Sequence, residues 1–141
     1  LLAEQNVKSP IIMMNGDLLS NLNFTELLRF HNKNKASATM CISEYEFQVP
    51  YGVINSDNHK LLKIEEKPSQ KFFINAGIYC FDETVYNHIK RKDAKLNMDL
   101  IIKDAVKRKL KIGGYPVLEF WMDIGNKANL LLAREKMFQE K

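Results

Sequence analysis

Pro10-Ile11-Ile12-Met13-Met14 runs directly into Asn15-Gly16-Asp17, and the reading of this stretch decides the fold. An uninterrupted apolar run of strand length, stopped by a polar turn, is the pattern of a strand buried on both faces, as in parallel sheets. Asp17 stands just past that strand, behind a glycine that lets the backbone turn and a ligand come close. The same three residues also read as a plain polar turn. Downstream, Asn23 followed by Glu26 resembles a capping pair, and Phe24, Leu27, Leu28 and His31 fall at helical spacing, predicting a helix over 24–33. Residues 36–43 are β-prone again, which completes a β-α-β unit with parallel strands and a crossover helix on one face.

Beyond this unit, residues 51–54, the polar turn Asn55-Ser56-Asp57-Asn58-His59 and residues 61–66 read as a hairpin closed by Pro68. A strand over 72–81 follows, then a helix over 83–92 capped by Asp82 and a second helix over 98–110. Short strands over 111–115 and 117–122 are interrupted by Gly113, Gly114 and Pro116. A helix over 127–139 gathers Leu130, Leu131, Ala133, Arg134, Met137 and Phe138 on one mainly apolar face. The order of elements makes an α/β sheet, whose ligand groups belong in the loops outside the strand ends.

A length of 141 residues, 45% of them hydrophobic and 27% charged, fits one soluble globular domain. No run approaches the roughly 18 apolar residues of a membrane helix. Residues 1–9 lack the pattern of a signal peptide, and Leu1-Leu2-Ala3-Glu4 reads as the end of a helix; a cytoplasmic location is expected. Cys41 and Cys80 sit among apolar neighbours and read as buried free thiols rather than a disulfide. His31, His59 and His88 lack the spacing of zinc ligands and read as surface residues. The net charge of +4 suggests no nucleic-acid partner, because the cluster Lys103, Lys107, Arg108, Lys109 and Lys111 alternates with apolar residues like a solvated helix face.

Four places carry groups suited to chemistry. Asp123 follows Phe120-Trp121-Met122 and precedes Ile124-Gly125, repeating the strand-end setting of Asp17. Two such carboxylates at one sheet edge would suit Mg²⁺, which takes one or two carboxylates and completes its octahedron with water and substrate phosphates; Asp123 also reads as a helix cap. Alternation places Glu66 on the strand face of Leu62 and Ile64, where a buried carboxylate would need partners such as sugar hydroxyls. Alternatively the strand has ended and Glu66 lies in water. Lys67, expected to be extended before Pro68, offers an ammonium to a phosphate. Asn75 and Gly77 share the face opposite Ile74, Ala76, Ile78 and Cys80, leaving an amide beside a bare backbone where a ligand could lie flat; a strand glycine also marks bulges. Tyr51-Gly52 carries the same pair of readings.

Taken in order, Asn15-Gly16-Asp17-Leu18-Leu19, Tyr51-Gly52-Val53-Ile54, Glu65-Glu66-Lys67-Pro68, Asn75-Ala76-Gly77-Ile78-Tyr79 and Trp121-Met122-Asp123-Ile124-Gly125 resemble the later motifs of the sugar-1-phosphate nucleotidyltransferases. The general likeness is to the mannose-1-phosphate guanylyl- and glucose-1-phosphate thymidylyl-transferring members. The resemblance implies a Rossmann-like three-layer mixed sheet of the nucleotide-diphospho-sugar transferase type. It implies transfer of a nucleotidyl group from a nucleoside triphosphate to a hexose-1-phosphate, with release of pyrophosphate. Asp17 and Asp123 would then hold Mg²⁺ and, with Lys67, form the catalytic set. Glu66 and Asn75 would contact sugar hydroxyls, Lys67 the sugar phosphate, and Tyr51, Gly52 and Gly77 would line the sugar site.

Members of the family also carry a Gly-rich loop with Thr and Arg that wraps the triphosphate, and nothing in this sequence matches it. Gly113-Gly114 comes too late and lacks a basic partner. Residues 1–141 are therefore expected to be the sugar-phosphate and metal part of one domain, truncated on its N-terminal side. Its triphosphate site would be incomplete, and its exposed strand edges would be open to a second copy. Transfer would need the upstream segment. A catalytically silent sugar-phosphate-binding module is the alternative. A glycosyltransferase ranks below both, because Asn15-Gly16-Asp17 offers one carboxylate where such enzymes use a close Asp-x-Asp pair.

Overall fold

A computed structural model describes residues 10–90 and 97–139. The reading of Leu1-Leu2-Ala3-Glu4 as a helix end, and the extension of the first mid-chain helix to Arg91 and Lys92, lie outside the described residues. The chain divides into two compact units, one formed by residues 1–43 with 75–141 and the other by residues 44–74.

The first unit is a mixed sheet between helices. Its strands are β1 (Ile11–Met14), β7 (Ile112–Pro116), residues 38–43 of β3 (Ala38–Gln48) and residues 75–81 of β6 (Ser69–Phe81), in the order β1-β6-β3-β7. β3 and β7 are parallel, pairing Ala38 with Ile112 and Cys41 with Tyr115. β1 departs from expectation: it pairs antiparallel with β6, from Ile11 against Phe81 to Met14 against Ile78. β1 and β3 are therefore not neighbours, because β6 has been inserted between them. β1 is half-buried, not covered on both faces.

Helix ends follow local chemistry. Asn23 caps α1 (Phe24–Lys33) by accepting from the amides of Thr25 at 3.0 Å and Glu26 at 3.3 Å. Asp82 accepts from Val85 N at 3.0 Å at the start of α2 (Glu83–Lys90). Asn97 does the same for Asp99 N at 3.0 Å on α3 (Met98–Lys107), three residues shorter than the predicted 98–110. The basic cluster after Lys103 is solvent-exposed, as a solvated helix face should be.

Leu27 of α1 packs with Cys41, Ala76, Ile78 and Cys80 on one side of the sheet. Val85 of α2 and Ile101 of α3 pack with Ala38, Tyr79 and Phe81 on the other. These two cores make three layers, and each fully buried side chain such as Phe81 or Leu27 contributes about 1.5–3 kcal/mol. Both cysteines are buried and free; burial pushes the Cys41 thiol up to about 12 and the Cys80 thiol up to about 11. His31 is a correction. It is 3% exposed, and its Nδ1 lies 2.9 Å from Thr39 Oγ1, a partner on β3 that local sequence does not announce. Helix α4 (Lys127–Gln139) buries Ala133 and leaves Leu131 half exposed, so Leu131 departs from the apolar face expected of it, and the side chains of Met137 and Phe138 lie outside the described residues. No helix among the described residues is long and apolar enough to cross a membrane.

A separate two-stranded sheet in the first unit joins β2 (Leu18–Ser20) antiparallel to β8 (Trp121–Asp123). It sets Leu18 opposite Asp123 and Ser20 opposite Trp121. The strand predicted over 117–122 thus begins later, after Val117 N has bonded to Ile42 O at 2.8 Å.

In the second unit, β4 (Val53–Asp57) and β5 (Lys60–Glu65) form an antiparallel hairpin with a bulge between Asn55 and Ser56. Asn58 and His59 form its tip with φ of 45° and 67°, the left-handed pair that matches strand twist in a two-residue loop. The strand therefore runs through residues 55–57, where the sequence predicts a turn. No residue between 44 and 74 is buried, and Phe73 is 75% exposed.

Candidate active site

The β2–β8 pairing brings the two strand-end carboxylates together. Ile124 N donates to Asp17 O at 2.8 Å, holding the turn before β2 against the end of β8. A Cβ placed on Gly125 would stand 3.0 Å from Asp123 Oδ1 and 3.1 Å from Asp17 Oδ2, so both oxygens converge on the one point this glycine leaves bare. Gly125 N donates to Asp123 Oδ1 at 2.7 Å, and Asn129 Nδ2 donates to Asp123 O at 2.8 Å, fixing the carboxylate and its backbone. Both aspartates are solvent-exposed.

Like charges brought this close are eased by a cation between them. The donors are hard oxygens, and the bare glycine keeps the space beside them open, which fits Mg²⁺. Among the described residues no group of three or more His, Cys, Asp and Glu side chains gathers to hold a metal.

Asn75 and Gly77 belong to the same unit and connect to this turn. Gly77 has φ of +69°, and a Cβ there would meet Asn15 Nδ2 at 2.8 Å and Leu18 Cδ1 at 2.9 Å. The expected open room beside Gly77 is therefore filled by Asn15 and Leu18. Asn15 N donates to Gly77 O at 2.9 Å, and Gly77 N donates to Asn75 Oδ1 at 2.9 Å. Asn75 Nδ2 donates to Tyr79 Oη at 2.6 Å and to Asp99 Oδ1 at 3.3 Å. Asn75 is exposed while Gly77 is buried, so the two do not share one open face. Trp121 Nε1 donates to Ala76 O at 2.8 Å, tying β8 to β6. Burial raises the Tyr79 phenol above its ordinary value, the Asn75 hydrogen bond opposes the shift, and the Asp99 charge adds to it.

Tyr51, Gly52, Glu66 and Lys67 lie in the second unit. β5 stops at Glu65, so Glu66 does not continue the strand; it is exposed, and the face argument for an inward carboxylate fails. Its Oε2 nevertheless lies 3.1 Å from where a Gly52 Cβ would be, so the carboxylate rests over the bare Gly52 backbone. Lys67 has φ of +46°, not the extended conformation expected before Pro68. The sharp bend comes from pairing across the loop, in which Lys67 N donates to Tyr51 O at 3.3 Å and Val49 N to Pro68 O at 3.0 Å. Tyr51 is exposed and lies before β4.

Sequence reasoning missed Asp99 and Tyr79. An acidic residue two positions after Asn97 reads as ordinary first-turn chemistry, and Tyr79 stands at the end of a motif with no role of its own.

The chain matches the nucleotidyl transferase family over residues 1–140. It is 28% identical over 130 residues to the mannose-1-phosphate guanylyltransferase catalytic subunit beta of Dictyostelium discoideum, covering 89% of this chain and 36% of that protein. It is 29% identical over 127 residues to a mannose-1-phosphate guanyltransferase of Yarrowia lipolytica, covering 87% and 34%. The chain thus spans about a third of the length of these relatives. Its fold resembles that of HddC from Yersinia pseudotuberculosis, with a TM-score of 0.65 at 20% identity, over 96% of this chain and 58% of the other.

Proposed function

The chain belongs to the nucleotidyl transferase family, and from that premise we propose that it carries the sugar-phosphate and metal part of an enzyme that joins a nucleoside triphosphate to a hexose-1-phosphate. Mannose 1-phosphate with a guanylyl donor is the favoured pair, supported by the names of the two relatives. The observation that carries the proposal is the convergence of Asp17 and Asp123 on Gly125.

Oxygen of the sugar phosphate attacks the α-phosphorus, and pyrophosphate leaves as the bond to it breaks; no side-chain nucleophile is required. Bound Mg²⁺ would neutralise phosphate charge and orient the reacting oxygens. Asp17 and Asp123 would hold it, with their backbones fixed by β2 and β8. In the same proposal Lys67 supplies a point charge to the sugar phosphate, and Glu66, lying over Gly52, accepts from a sugar hydroxyl beside Tyr51. Asn75 borders the sugar site from β6, its amide held by Gly77 N. A cytoplasmic setting, where triphosphates and sugar phosphates coexist, is part of this reading.

The test is pyrophosphate release by the full-length protein, with each common nucleoside triphosphate against mannose 1-phosphate and glucose 1-phosphate. Release with one pairing is expected. Sugar-phosphate binding without release under any pairing would leave a binding module in place of an enzyme.

A further inference from the structure

We infer that Asp99 is a further sugar-recognition residue, its carboxylate accepting a hydrogen bond from a hydroxyl of the hexose while Asn75 acts as the positioning residue beside it. The inference rests on the sugar-phosphate reading above and starts from the valence of one amide. An asparagine side chain has two N–H donors and an oxygen with two lone pairs. Both donors of Asn75 are engaged, by Tyr79 Oη at 2.6 Å and Asp99 Oδ1 at 3.3 Å. One lone pair is engaged by Gly77 N at 2.9 Å. This arrangement also fixes the amide's orientation, because its oxygen must face Gly77 N. Asn75 keeps a single acceptor position for a ligand and no donor.

Asp99 is solvent-exposed, and among the described residues its Oδ2 has no hydrogen-bond partner. Apart from the O–H of Tyr79, itself 2% exposed, the groups left free at this point are acceptors, one of them charged. A phosphate would be repelled, whereas a hydroxyl-bearing ring brings the donors that these acceptors lack. The position is tied to the metal-site turn: Asn75 Oδ1 accepts from Gly77 N, and Gly77 O accepts from Asn15 N, two residues before Asp17. A ring seated on Asp99 would thus be referenced to the same backbone that carries Asp17.

The test is calorimetric titration of the full-length protein with mannose 1-phosphate, glucose 1-phosphate and their singly deoxygenated analogues. Asp99→Ala is expected to weaken mannose 1-phosphate binding roughly 10- to 100-fold, the loss of a hydrogen bond to a charged group. One deoxygenated analogue, weak on the wild type, should bind Asp99→Ala no worse than mannose 1-phosphate does. In turnover the KM for the sugar phosphate should rise while that for the triphosphate stays constant. Equal weakening across all analogues, or none, overturns the inference while leaving the sugar-phosphate reading intact. If Asp99→Ala does not fold, Asp99→Asn, which keeps an acceptor for Asn75, should show a smaller loss confined to the same analogue. Failure of the wild type to bind either sugar phosphate would overturn the function and the inference together.

Discussion

Asp17 and Asp123, 106 residues apart in the chain, aim one carboxylate oxygen each at the single point left bare by Gly125. The convergence follows from the short β2–β8 pairing and the Ile124 N to Asp17 O bond, elements held by backbone geometry.

Gly125→Ala places a methyl group 3.0 Å from Asp123 Oδ1 and 3.1 Å from Asp17 Oδ2, so the carboxylates must part. Gly125 is exposed, and the global unfolding midpoint should barely change. Pyrophosphate release should fall by about a hundredfold, the scale of a small misplacement in an active site. Parallel thermal melts and rate measurements would separate the two effects.

Gly77→Ala should destabilise the fold by about 2 kcal/mol or more, because it combines left-handed strain with a clash against Asn15 and the buried Leu18. The positive φ of 69° and the 2.8 Å approach to Asn15 Nδ2 are separate causes. Adding Asn15→Ala should therefore recover only the Asn15 part of the clash, because the approach to Leu18 Cδ1 at 2.9 Å and the strain remain. Urea denaturation of the single and double variants measures this, and complete recovery would deny the backbone strain.

His31 should make stability depend on pH. Desolvation lowers its pKa below 6.5, and the nearby Asp82 charge opposes this only in part. Below the ordinary value the unfolded chain binds a proton that the native state refuses. The stabilising contribution is fully present above about pH 6.5 and is lost as pH falls through the depressed native value. The urea midpoint should drop more between about pH 7.5 and 5.5 for the wild type than for His31→Gln. Identical slopes would show that His31 titrates alike in both states.

Local chemistry was the legible part of this sequence. Asn23 and Asp82 were readable as caps, the cysteines as buried thiols, and Asp17 and Asp123 as strand-end carboxylates, since each depends on neighbours within a few positions. What escaped depends on distant chain. β1 runs antiparallel because β6 lies beside it, His31 is buried where its ring pairs with Thr39 of β3, and Lys67 is left-handed because Tyr51 pairs with its amide. Glu66 carried two readings for the same reason: alternation continues on paper past the point where loop pairing ends the strand, and the folded chain takes the reading in which the strand has ended. Asp99 was invisible because its meeting with the Asn75 amide, 24 residues back in the chain, exists only in the folded protein.

The central claim is that Asp17 and Asp123 together hold the metal on which nucleotidyl transfer depends. It is tested most directly by Mg²⁺-dependent pyrophosphate release in the wild type and in Asp123→Asn, which keeps the shape and removes the charge. The account predicts a loss of at least about a hundredfold at saturating substrates, with more Mg²⁺ needed to reach half-maximal rate. An Asp123→Asn protein that releases pyrophosphate at the wild-type rate, with an unchanged Mg²⁺ requirement, would contradict it.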